Sequence, residues 1–234
     1  MKKIFVPALI LLITVNNSFG QTDIDSTFLL AKSRLFFVPT FSVSNRTAVN
    51  DQQLLRLVDD QYRLTWEIDM NVGYFVKDNF SVGAQLSYAQ QQEDITFTQD
   101  NTQTTQKSFG HAVTFSPNIR NYYGPRRLKV FNQTGLIFQV GDELTRVYNA
   151  DDEDKIRTQS IEFGIGIQPG IAFFFDRLAS VEASINILGW TTTIENSVKN
   201  DVEESRVVTN DVNFSINVLS LKIGVGVYLN ELIK

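Results

Sequence analysis

From Thr158 to Asp176 the chain reads TQSIEFGIGIQPGIAFFFD, and its odd positions from Ile161 to Phe175 are apolar without a break. The even positions Glu162, Gly164, Gly166, Gln168 and Gly170 are small or polar. A period of two is the mark of a strand with two unlike faces, because successive side chains point to opposite sides of a sheet. The length is what constrains the fold. Most strands run to about five or six residues, whereas crossing a bilayer takes about nine to eleven tilted residues. An apolar face this long must meet either a core or lipid.

The other face separates the two. A soluble barrel turns its polar face to water, where Lys and Glu dominate. In a membrane barrel the apolar face meets lipid and the polar face fills a narrow lumen. Here the polar faces are rich in Gly, Ser, Thr, Asn and Gln and hold few charges. Such small groups suit a crowded interior, so the sequence is read as all-β and as a membrane barrel. No apolar run after the N-terminus is long enough for a membrane helix, so any spanning falls to strands in a closed barrel.

Lys2 and Lys3 precede an apolar run from Ile4 to Val15, followed by Ser18-Phe19-Gly20. This predicts a secretory signal peptide over residues 1–20 with cleavage before Gln21, and one barrel domain over 21–234. With no Cys in the chain, disulfides, thiolate metal sites and a lipidated N-terminal Cys are excluded. Without residues 1–20 the chain has 19 basic and 26 acidic residues, net −7. No basic stripe points to nucleic acid.

Eight strands are predicted. The first covers about Ser33–Ser44, with Leu35, Phe37, Phe41 and Val43 on one face. The second, Tyr62–Val76, alternates as regularly as the opening stretch. The third starts at Phe80 and carries Val82, Ala84, Leu86 and Tyr88. The fourth is Ser108–Tyr123, the fifth Leu128–Gly141, the sixth Thr158–Asp176 and the seventh Leu178–Thr193. In the last, apolar residues run on even numbers from Val212 to Val218 and on odd ones from Leu219 to Leu229. A β-bulge near Val218 reconciles the two halves, as does a strand that starts near Leu219.

The connections alternate in length. Short turns are expected at Lys77-Asp78-Asn79, Gly124 to Arg127 and Asp176-Arg177. Polar loops are expected at Asn45–Gln61 (with a short helical turn from Leu54 to Val58), Gln90–Lys107, the acidic run around Asp151 to Asp154, and Glu195–Arg206. Ile95 and Phe97 prolong the third strand. In an up-and-down barrel the short turns share one rim with both termini, the periplasmic side of outer-membrane barrels. Aromatics near those turns (Tyr74, Phe75, Phe80, Tyr122, Tyr123, Phe173 to Phe175, Tyr228) are expected to form one interfacial girdle. Tyr62, Trp66, Tyr88, Phe109 and Trp190 are placed in the other.

On Ser18-Phe19-Gly20-Gln21, FGIGIQPGIAFFF of Phe163–Phe175 and LSLKIGVGVYL of Leu219–Leu229, the chain resembles the small outer-membrane β-barrel proteins of Bacteroidetes, PorT-like or porin-family, and more distantly the OmpA/OmpX eight-stranded barrels. The resemblance implies an eight-stranded antiparallel up-and-down barrel in the bacterial outer membrane. It implies outer-membrane lipid and lipopolysaccharide as surroundings, and allows a protein partner at the extracellular loops. It also allows a narrow pore or an accessory of protein secretion. Such barrels usually end on an aromatic residue, whereas here Asn230 to Lys234 follow Leu229.

Some small outer-membrane barrels modify lipid A; they resemble acyl hydrolases or transferases with a His beside a Ser and a carboxylate. The single histidine, His111, shares its phase with Phe109, Val113 and Phe115, and Thr114 lies on the opposite face. The reading is therefore non-catalytic. The charges at lumen-facing positions are Arg63, Glu67, Asp69, Arg120, Glu162, Glu182 and Lys222. An unpaired charge there is costly, so cross-strand pairing into a plug is expected. Asp151 to Asp154 lacks the spaced ligands and the Gly of a calcium loop, and no cofactor site is read.

Overall fold

The computed structural model describes residues 29–53, 56–99, 102–124, 126–149, 152–200, 202–214 and 221–229. The expected signal peptide and the tail after Leu229 lie outside the described residues. The strands are β1 (Leu35–Gln53), β2 (Arg56–Lys77), β3 (Phe80–Gln99), β4 (Thr102–Tyr123), β5 (Leu128–Asn149), β6 (Asp152–Asp176), β7 (Ala179–Ser184), β8 (Leu188–Lys199), β9 (Val202–Phe214) and β10 (Lys222–Leu229).

Each strand pairs antiparallel with its neighbours in one sheet, β5–β6 join, and β1 pairs with β10, so the sheet closes. Both β7 and β8 pair with β6 and form two halves of one crossing. The last crossing is likewise divided into β9 and β10. The fold is an eight-stranded up-and-down barrel.

Its stagger can be read from the register. Going from Phe41 through Ile68, Tyr88, Val113 and Val140 leads to Ile161 on β6. Going the other way through Ile223 and Ala183 leads to Ile171, a shear of 10 residues. Eight strands with that shear tilt by about 41° and enclose a backbone cylinder of about 8 Å radius. Side chains reach across such a lumen.

Outward rows are apolar: Ile68, Met70 and Val72 of β2, Val113 and Phe115 of β4, Leu136, Phe138 and Val140 of β5, and Ile161, Phe163, Ile165, Ile171 and Phe173 of β6 are all exposed. The row from Ile165 to Phe175 rises about 25 Å along the axis at this tilt, the height of the apolar band of outer-membrane barrels. The rings of Trp66 and Tyr88 meet at 5.5 Å, tilted by 54°, near its upper edge. Ile165→Arg is expected to cost about 2–4 kcal/mol of folding stability in lipid vesicles, as a cation on this face does. Gln168→Arg, whose native amide donates to Ser184 inside the barrel, should cost less; equal losses would show the faces to be reversed.

The structure corrects several sequence expectations. The polar stretches around residues 45–61, 90–107, 142–157 and 195–206 are arms of long hairpins rather than loops, since β3 pairs with β4 out to Gln99↔Thr102 and β5 with β6 to Asn149↔Asp152. Neighbouring hairpins also pair with each other, as in Arg63↔Glu93 and Arg146↔Lys107, which stabilises strand where composition alone favours loop. Leu57 and Val58 belong to β2 rather than to a helical turn; Leu54 and Leu55 lie outside the described residues. The seventh crossing is interrupted: Ile185 to Ile187 stand opposite only Gln168 and Pro169, and the amides of Ile185 and Ile187 donate to the carbonyls of Pro169 and Ile167. That bulge moves the outward phase from odd Val181 to even Trp190. The bulge expected near Val218 lies outside the described residues, but the phase does change between exposed Val212 and exposed Ile223.

Candidate functional site

The lumen is sealed at the end that carries the short turns. Phe36, Phe75, Tyr122, Phe131, Phe174 and Tyr228, from six different crossings, point inward and bury one another together with Leu30, Val38 and Ala172. Phe174 and Tyr228 lie 4.9 Å apart, Phe36 meets Phe75 edge-on at 5.6 Å, and Tyr122 contacts Phe131 at 5.6 Å. Two glycines make room for these rings. A Cβ on Gly73 would collide with the Phe36 ring, and one on Gly170 would collide with the Phe131 ring. The expectation of a lipid-facing girdle here is therefore corrected for Phe75, Tyr122, Phe174 and Tyr228, which line the interior; Tyr74, Phe173 and Phe175 do face outward.

An ion pair locks the lumen above this plug. Arg120 Nη1 donates to Glu182 Oε2 at 2.7 Å and to the Tyr122 hydroxyl at 2.9 Å. Its Nε and Nη2 donate to Gln133 Oε1 at 2.9 and 2.7 Å. The other carboxylate oxygen of Glu182 accepts from the hydroxyls of Tyr228 and Ser180. The guanidinium carbon sits 4.2 Å from the Phe131 ring centroid, a cation–π contact in a desolvated setting. With side chains only 4 % and 2 % exposed, Arg120 and Glu182 have partners on every side, which is what makes a buried pair tolerable.

A second cluster braces the closing seam. Lys222 on β10 reaches Glu67 at 2.8 Å and Asp69 at 2.9 Å on β2, across the intervening β1. Thr40 of β1 donates to the same Asp69 oxygen at 2.8 Å. The ion pair thus ties together the three strands whose pairing shuts the cylinder.

Nearer the long hairpins, Arg63 and Gln61 both donate to Glu93 Oε1 at 2.6 Å. Arg63 is 40 % exposed there, so this contact belongs to the mouth rather than to the sealed interior. Glu162 stands apart from these clusters, accepting from Thr193 at 3.3 Å. It lines a polar cavity of about 210 Å³ with Glu67, Gln139 and Lys222. A second cavity, of about 280 Å³, shares Gln139 and reaches Thr158 and Glu195 toward the hairpins. The lumen is polar above and closed below.

The seven predicted charges therefore fall into separate places: a lock (Arg120, Glu182), a seam brace (Glu67, Asp69, Lys222), a mouth pair (Arg63) and a cavity wall (Glu162). Sequence reasoning missed Glu93, Gln133 and the inward aromatics. The signal for Gln133 and Phe131 was present, because outward Val130, Leu136 and Phe138 put the odd positions of β5 inside. His111 is outward, level with Gln90 and Asp142. On the hairpins, Arg157 grips both oxygens of Asp142 at 2.8 and 3.0 Å, and this hydrogen bonding holds the Asp142 carboxyl below its ordinary pKa. The expected acidic loop at Asp151 to Asp154 is corrected too: Glu153 and Asp154 lie on β6, and Asp154 pairs with Lys199 at 3.2 Å.

Fold and site together define a transmembrane β-barrel with a sealed base and a polar vestibule under long hairpins. No family model and no curated protein matches the chain. Among solved structures it is similar to the attachment invasion locus protein Ail of Yersinia pestis, at 13 % identity over 85 % of this chain and 99 % of that one, TM-score 0.36. It is also similar to the outer membrane protein OprG of Pseudomonas aeruginosa, at 11 % identity over 86 % and 97 %, TM-score 0.42. A major outer membrane protein of Thermus thermophilus aligns at 12 % identity over 84 % and 100 %, TM-score 0.40.

Proposed function

We propose that this chain is a bacterial outer-membrane barrel of the small Bacteroidetes type, exported by a cleaved signal peptide, that acts non-catalytically in surface interaction through its extracellular hairpins. The observation that carries this reading is the excess of strand over membrane. β6 alone has 25 residues, and from Ile165, at the edge of the apolar band, to Asp152 it rises roughly 30 Å further. A barrel built only to span needs none of it. Rigid scaffolds that project segments of this kind commonly use them for binding, and the buried plug and ion pair among the described residues favour this reading over a pore.

The test is removal of one hairpin tip. Excising residues 94–106 and rejoining the arms should leave the heat-dependent gel shift of the folded barrel intact, because every pair at membrane depth is retained. Capture of a partner from intact cells by the full-length protein, lost on excision, supports the reading. Capture that persists after each of the four hairpins is trimmed in turn rejects it.

A further inference from the structure

Among the described residues, the charges at the short-turn end are opposite in sign to the chain. The protein carries a formal net charge of −5, yet the exposed charged residues described at this rim are Lys32, Lys77, Arg126, Arg127 and Arg177 against Asp78 and Asp176. Both acids are engaged by backbone: Asp78 accepts from the amide of Lys32, and Asp176 from the amide of Arg177. Two more cations, Arg34 and Lys129, are buried just inside. They donate to main-chain carbonyls, Arg34 to those of Leu29 and Arg177 and Lys129 to that of Gly124, and the Arg34 Nε has no partner.

Position tells what such a ring would meet. Each exposed cation stands at the edge of the apolar belt. Lys32 precedes exposed Leu35, Lys77 follows exposed Tyr74, Arg127 adjoins exposed Leu128, and Arg177 lies between exposed Phe175 and Leu178. That is the depth of lipid phosphates beside a membrane barrel. The cations come from the lead-in and from all three short turns, so they encircle the rim. A single protein partner would meet a one-sided patch, whereas a lipid annulus meets a ring.

We infer that this rim binds the phosphate headgroups of anionic phospholipids in the periplasmic leaflet and so fixes the depth and orientation of the barrel. The inference rests on the membrane placement proposed above and is independent of any role for the hairpins. A Lys or Arg near an anionic membrane surface is held there about five-fold more strongly than a neutral residue, and the effect fades within a Debye length as salt rises.

The experiment uses the mature full-length protein folded into phosphatidylcholine bilayers containing trace spin-labelled phosphatidylglycerol or spin-labelled phosphatidylcholine. The fraction of immobilised label gives the relative affinity of the annulus for each lipid. The wild type should prefer phosphatidylglycerol about three- to five-fold, and high salt should abolish the preference. Lys32→Gln, Lys77→Gln, Arg126→Gln, Arg127→Gln and Arg177→Gln together should bring it to parity, with the heat-dependent gel shift showing that the barrel is folded. Four neutralisations on the hairpins, at Lys107, Arg146, Lys155 and Arg206, should leave it unchanged. Replacing chloride by inorganic phosphate at matched ionic strength should also leave it unchanged; loss there would mean a site for free phosphate and would overturn the lipid assignment. Parity in the inserted wild type, or preference surviving in the rim variant, overturns the inference alone. Failure of the wild type to insert overturns the membrane reading beneath it.

Discussion

Arg120→Met should destabilise the folded barrel by about 3–5 kcal/mol, the cost of leaving a buried carboxylate without its cation. The volume is nearly conserved, so the loss is electrostatic rather than a packing loss. Glu182 keeps its hydroxyl donors, Tyr228 and Ser180, but these are neutral and satisfy only one of its oxygens. Gln133 loses two donors at once and keeps the amide of Asn71, 2.7 Å away. Adding Glu182→Gln to Arg120→Met removes the uncompensated charge, so the double variant should recover a large part of the loss. Urea titration in lipid vesicles, read by tryptophan fluorescence, measures all three proteins. A single-variant loss under about 1 kcal/mol would put the pair in the class of solvated salt bridges, and the lock as described would not exist.

How far this site can be read from sequence depends on distance along the sheet. Which face each residue takes is local: Arg120, Glu182 and Lys222 lie inside because their neighbours Ile119, Val181 and Ile223 lie outside. Which of them meet is global. Arg120 on β4 and Glu182 on β7 face each other across the lumen, and their common height follows from a shear that no single strand encodes. Lys222 skips a whole strand to reach Glu67. The plug was hidden for a related reason. Phe75 and Phe174 each sit beside an outward aromatic, Tyr74 and Phe173, so composition near the turns suggested one girdle where alternation produces two opposed sets. The hairpin arms escaped because, Ile95 and Phe97 apart, both faces of Gln90–Lys107 are polar. Without a lipid or core face there is no period to detect, and the strand is held by pairing with the hairpins on either side.

Plug and lock are two barriers in series, and this sets the expected conductance. In planar bilayers the wild type should show no steady current. Tyr122→Ala with Tyr228→Ala removes two buried rings from the plug at about 3–5 kcal/mol each, the second of them fully buried. It also takes from Arg120 and Glu182 the hydroxyls that hold them. Yet the ion pair itself still spans the lumen, and resistances in series add, so this double variant should stay silent. Arg120→Ser alone opens the lock over an intact plug and should be silent as well. Only the three substitutions together should give steady conductance, with current entering through the vestibule lined by Glu162 and Gln139 and therefore carried mainly by cations. The heat-dependent gel shift in each sample separates a silent folded barrel from an unfolded one. A steady wild-type current would contradict the seal, and a folded triple variant that does not conduct would mean that a third barrier closes the lumen.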